Sequence, residues 1–262
     1  MCAPEHVHGA GRLRPRPGGQ SADVVLYSLC RERTSRPGGG FMGYKSGWLA
    51  VSATVPRLDL LKYPEGGPRA AASTLKMLLP GWRLTGKTVG MMLGRGPERR
   101  IFLGTWGSTI VLGGDGSVLN NLKYRLSSEE HRPDGLGVWS MWASTVVSSV
   151  EFFVRAPGWD RYVCIECNDY FDEDDSGSDM SLDYSGTPLP FESRLWDEGS
   201  YPPGDYDYDA LPFSEQIFAL CADQWVLGLI SPEDVVGWGV EGLIEERAPD
   251  PDDLVMHEAV PI

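Results

Sequence analysis

Apolar and polar positions fall into two regimes along this chain, and the change comes at Met42. Beyond it, short apolar runs alternate with breaks rich in glycine and proline. GWLAVSA, residues 47–53, is apolar almost throughout and flanked by small residues, which predicts a strand. Residues 66–81 carry a different period. Ala71, Leu75, Leu78 and Leu79 recur at helical spacing, Pro68 suits a first turn because its missing N–H has no partner there, and Pro80-Gly81 stops the helix. Residues 99–116, RRIFLGTWGSTIVLGGDG, predict two short strands broken by glycines. The polar stretch 117–137 predicts part helix, part loop. Residues 137–169 are dominated by Trp, Val, Phe and Tyr, and EFFVRA and RYVCIEC flank PGWD as two strands would flank a hairpin loop.

From 169 to 209 the chain is acidic and rich in Tyr, Gly and Pro, and reads as long loops. Residues 211–228 predict a helix, with Ser214 as cap and Ile217, Phe218, Cys221 and Trp225 on one face. A further helix start is predicted at SPED, where Ser231 caps, Pro232 comes first and two acids face the positive end of the dipole. Residues 246–262 turn to Pro and Asp and read as a flexible acidic tail. Strands and helices with a long hairpin predict an α+β fold, a largely antiparallel sheet with packed helices in a single domain over 42–245.

Composition changes the picture at the N-terminus. Residues 1–41 hold six arginines, no lysine and three acids, a charge of +3 within a chain of net −14, so that −17 falls on the remainder. Their only apolar run is VVLY, too little burial to offset the entropy of ordering. The segment reads as disordered, or as an upstream region with Met42 the true start. Gly38-Gly39-Gly40 can be encoded by a purine-rich ribosome-binding sequence one codon from Met42. VVLY is too short, and too closely flanked by Arg and Pro, for a signal peptide. The acidic remainder argues against nucleic acid and anionic membranes, which require Lys and Arg to displace counterions, and favours a basic protein partner. Five cysteines, Cys2, Cys30, Cys164, Cys167 and Cys221, form no disulfide framework and point to the cytoplasm.

Four stretches carry candidate chemistry. GWRLTGKT, residues 81–88, matches a phosphate-binding loop, with Gly81 and Gly86 shaping the turn, Lys87 on the outer phosphates and Thr88 on Mg²⁺. A helix pattern precedes it and glycines follow within two turns, so the context for a Mg-nucleotide is poor. CIEC, residues 164–167, lies in a strand pattern where positions three apart face opposite ways, which favours small apolar packing over redox chemistry or zinc. DEDDSGSDMSLD, residues 172–183, spaces Asp172, Asp174, Ser176 and Asp183 as a calcium loop would, with glycine at the sixth position but Asp where Glu belongs. YPPGDYDYDALPF, residues 201–213, alternates Tyr201, Asp205, Tyr206, Asp207, Tyr208 and Asp209 as a partner-facing patch would. After Met42 only His131 and His257 remain, neither beside a Ser or Cys in a nucleophile-like setting.

The order of several segments resembles an uncharacterised actinobacterial family, domain of unknown function 6928. They are MGYKSGWLAV, a helix ending LLPG, RIFLGTWGSTIVLGG, STVVSSVEFFV, TPLPFESRLWDEG and the helix after LPF, over about residues 42–228. The resemblance implies a start at Met42 and places GWRLTGKT in a loop after the helix. Where the family has His and Asp near the hairpin, this chain has Met141, Ser144 and Ser148. The expectation is an acidic, non-catalytic binding or interaction protein. The alternative is an enzyme or binding protein using Mg-nucleotide at 81–88 or calcium at 172–183.

Overall fold

Four consecutive apolar residues, Trp48 to Val51, can all be buried only on a strand covered on both faces. The computed structural model has that arrangement. It describes residues 45–62, 68–91, 96–144, 149–168, 179–192, 195, 215–230 and 254–262. The strands are β1 (Lys45–Ser52), β2 (Trp82–Val89), β3 (Ile101–Trp106), β4 (Thr109–Gly114), β5 (Gly137–Ser144), β6 (Ser149–Ala156), β7 (Trp159–Asn168), β8 (Asp179–Gly186) and β9 (Met256–Pro261). They form one nine-stranded sheet in the order β2-β9-β3-β4-β1-β5-β6-β7-β8. Every neighbouring pair is antiparallel. The helices are α1 (Arg57–Lys62), α2 (Pro68–Leu78), α3 (Gly116–Ser127) and α4 (Glu215–Leu227). The fold is α+β and rich in strand.

The sheet divides two cores. Trp48, Ala50, Trp139, Met141, Phe152, Val154 and Val163 pack with Leu60 of α1 and with α4 on one side. Leu49, Val51, Ile101, Leu103, Leu112 and Val138 pack with Ala71, Leu75 and Leu78 of α2 and Leu119, Leu122 and Leu126 of α3 on the other. Alternate residues of β1 therefore serve opposite cores, which is why its pattern is continuous rather than alternating. Helix α4 is buried all round from Phe218 to Ala222 rather than along one face, and its Phe218 meets Phe152 and Phe191 edge-on.

Three segments depart from the sequence reading. The C-terminal residues, expected as a flexible tail, form β9, hydrogen-bonded between β2 and β3. His257 and Glu258 hide this strand from a hydropathy pattern, yet both are buried, and Glu258 accepts from Arg100 at 3.0 Å and from Thr85 at 2.9 Å. The expected loop region 169–209 contains β8, which pairs along its whole length with β7. GWRLTGKT, placed in a loop by the family resemblance, is instead the edge strand β2, with a register shift between Leu84 and Thr88. Residues 1–44, the helix start at Ser231 and the cap Ser214 lie outside the described residues.

Candidate functional site

Gly47, Trp142 and Glu151 face each other across β1, β5 and β6, with Leu49 and Ser140 in the next row. Cross-strand partners share a face, and Leu49 belongs to the core beneath α3. At Gly47 the sheet has no side chain to fill the space below the helix. A cavity of about 670 Å³ opens there, lined also by Arg99, Asp115, Asn120 and Lys123. That volume suits a small organic molecule.

Helix α3 is fixed over this floor at both ends. Asp115 is its N-cap: Oδ1 accepts from the Ser117 amide at 2.9 Å and hydroxyl at 2.7 Å, while Oδ2 accepts from the Arg99 amide at 2.6 Å. Partial burial pushes the Asp115 carboxyl up. Hydrogen bonds from the Ser117 side chain and from the backbone of Arg99, Ser117 and Val118 outweigh this and hold it below 3.8. Toward the other end, Lys123 Nζ donates to Glu151 Oε1 at 2.7 Å, with the lysine side chain 7% and the glutamate 31% exposed. Lys123 reaches this buried position because its stem lies along the helix–sheet interface while its head meets a carboxylate.

The segment carrying Arg99 crosses the β4–α3 turn closely. The Gly96 amide donates to the Gly114 carbonyl at 3.0 Å, and the Asp115 amide to the Arg100 carbonyl at 2.8 Å. A Cβ on Gly114, whose φ is 116°, would lie 2.5 Å from the Arg100 carbonyl oxygen. Arg99 itself holds φ at 57°, the left-handed region a non-glycine residue rarely adopts. Its amide is thereby aimed at Asp115. Next to Asp115, Gly116 lies against the Trp142 ring, which is 3.4 Å from where a Cβ would stand.

None of the residues given candidate chemistry from the sequence lines this cavity; Met141, one of the positions where the resembled family has His or Asp, does. Gly81, Gly86, Lys87 and Thr88 lie on or next to β2, where Thr88 faces His257 of β9. They do not form the loop feeding a helix that a bound phosphate chain needs. Asp183 sits in mid-strand on β8, opposite Cys164; Asp172, Asp174 and Ser176 lie outside the described residues, as do Tyr201, Asp205, Tyr206, Asp207, Tyr208 and Asp209. Cys164 is free, and burial is the largest of the influences that push its thiol up to about 11, making it a poor nucleophile at neutral pH. His131 shares a hydrogen bond with Ser128 beyond the far end of α3. Among the described residues no group of three His, Cys, Asp or Glu side chains is placed to hold a metal ion, and no helix is long and apolar enough to cross a membrane. The sequence carried one legible trace of the site, Asp115-Gly116-Ser117 as a helix start. The Lys123–Glu151 contact joins positions 28 apart and leaves no local signal.

No family model, curated protein or solved structure matches this chain. The resemblance to domain of unknown function 6928 rests on the order of segments alone.

Proposed function

We propose that this chain is a non-catalytic binding protein whose ligand, a small polar molecule, occupies the cavity beneath α3. The observation that carries the reading is convergence. Arg99 from the turn before β3, Asp115 and Lys123 from the cap and body of α3, and Glu151 from β6 come to the walls of one space. Three of them, Asp115, Lys123 and Glu151, are already held by side-chain hydrogen bonds, so little side-chain entropy remains to be lost on binding. Among the described residues the lining holds no histidine and no cysteine, and its Asp115 and Glu151 carboxylates are already engaged by hydrogen bonds, which favours binding over thiolate or imidazole chemistry. A cytoplasmic setting fits the sparse cysteines.

A second reading, docking of a basic protein, is supported by the sheet face beyond α3. Glu151, Cys164 and Asp183 form one cross-strand row, and Glu166 and Asp183 are exposed. Their acids are part of the −17 carried after residue 41.

Thermal unfolding of the full chain against sets of small anions, amines, zwitterions and neutral polar molecules tests the first reading. A ligand at a hundredfold its Kd stabilises by about 2.7 kcal/mol, a shift of several degrees. One set should produce that shift, and Ser140→Leu, which fills the floor of the cavity, should abolish it. Unchanged transitions with all four sets, or a shift that survives Ser140→Leu, would contradict the reading.

A further inference from the structure

The charge pattern of the ligand can be read from the deepest charged pair in the cavity, given that the cavity is a ligand site. Lys123 and Glu151 both line it and touch each other at 2.7 Å. An ammonium has three donors, and the one bond to Glu151 leaves two. The Lys123 ammonium also stands 4.7 Å from the centre of the Tyr124 ring, which stabilises its charge but takes up no hydrogen-bond acceptor. Glu151 has a second carboxylate oxygen beyond the one that Lys123 engages.

A ligand of a single charge fits this pair badly. An anion attracted to Lys123 meets Glu151 at nearly the same distance, and a cation drawn to Glu151 meets Lys123. In a half-buried setting either contact leaves a like charge poorly solvated. A neutral molecule leaves the spare donors and acceptors of both groups without charged partners. A molecule with an ammonium and a carboxylate on one carbon matches the pair in antiparallel fashion. Its carboxylate takes the free donors of Lys123 and its ammonium the free oxygen of Glu151, closing a square of four charges in which every side is attractive. Arg99, which also lines the cavity, carries a guanidinium whose planar fork suits a carboxylate. Leu49, Leu119 and the Trp142 ring supply apolar surface for a side chain. We infer that the cavity binds a free α-amino acid through its zwitterionic head group, between Lys123 and Glu151.

Calorimetric titration of the full chain with glycine, leucine and phenylalanine tests this, beside 4-methylpentanoate and 3-methylbutylamine, which keep one head-group charge each of leucine. At least one amino acid should bind, and leucine at least about tenfold more tightly than either analogue. Glu151→Gln, which keeps the shape but removes the negative charge, should weaken amino-acid binding at least about tenfold. The analogue comparison uses the unaltered chain and stands even if that variant folds poorly. An analogue that binds as well as leucine, or a variant that binds as well as wild type, would overturn the zwitterion while leaving the cavity a ligand site. Absence of binding by the amino acids with binding by another set in the thermal experiment would do the same. Absence of binding by every set would overturn both.

Discussion

Arg161 is a residue whose removal the fold should tolerate poorly. It lies on β7 with its side chain 2% exposed, and it donates to both oxygens of Glu192 at 2.9 and 2.6 Å while Glu192 is fully buried. Its remaining nitrogen donates to the Ser185 carbonyl at 3.1 Å, and the Leu189 amide donates to Glu192 at 2.9 Å. The charges are thus both paired and hydrogen-bonded, the condition under which a buried ion pair is tolerated. Arg161→Met, which strands the glutamate, is expected to cost about 3–5 kcal/mol in urea unfolding, and the double variant with Glu192→Leu to recover most of it. Asp223 differs in kind. Its carboxyl on α4 is buried and accepts a short hydrogen bond from the Trp48 indole, and burial raises its pKa well above 3.8. The unfolded chain releases this proton near the ordinary value and the native state holds it. Its contribution is therefore complete at pH values below about 4 and declines as pH rises towards the folded pKa. Asp223→Asn keeps the acceptor and removes the titration. Its stability relative to wild type is expected to improve steadily from pH 4 to pH 8 in paired denaturation curves; a constant offset would contradict the assignment.

Among the elements, α3 has its start fixed by one side chain. Asp115 caps the first turn and also holds the Arg99 amide, so Asp115→Ala loses both. About 0.5–2 kcal/mol of stability is expected to go in chemical unfolding. Because hydrogen bonds hold the wild-type carboxyl below 3.8, its contribution is present above the unfolded pKa and fades as pH falls through the folded one. The variant should therefore differ from wild type at pH 6 and converge on it in strong acid. The elements also show what could be read beforehand. β1, α2 and the β6–β7 hairpin were legible because their periods are local and their ends are marked by Pro80-Gly81 or Gly158. β8 was legible in principle: Met180, Leu182 and Tyr184 alternate with Asp179, Ser181, Asp183 and Ser185. The acidic composition around it masked that alternation. β2 and β9 were not legible, because four consecutive residues of β2 are exposed and β9 owes the burial of Glu258 to Arg100 and Thr85 far away in the chain. Of the cavity, only the cap of α3 could be anticipated.

At the scale of the molecule, a single antiparallel sheet separates two helix-covered cores, and the C-terminus completes it. β9 is hydrogen-bonded on both sides, to β2 and to β3, so the last residues of the chain hold the outer strand in place. Deleting residues 254–262 is expected to abolish the cooperative thermal transition rather than to lower its midpoint slightly, which scanning calorimetry would register. The edge at β2 is interrupted by its register shift, and Gly86 there has φ of 85°, a device that discourages pairing with other chains. The position of the cavity follows from the same architecture. It lies where the glycine of β1 leaves the sheet bare, under a helix fixed by Asp115 and tied to β6 through Lys123. The most direct test of that claim is amide chemical-shift mapping of the full chain titrated with the tightest-binding amino acid. The structure predicts perturbations concentrated at Gly47, Asn120, Lys123, Trp142 and Glu151. Saturable perturbations that leave those five amides unmoved and gather at the Asp183 face of β8 would contradict it.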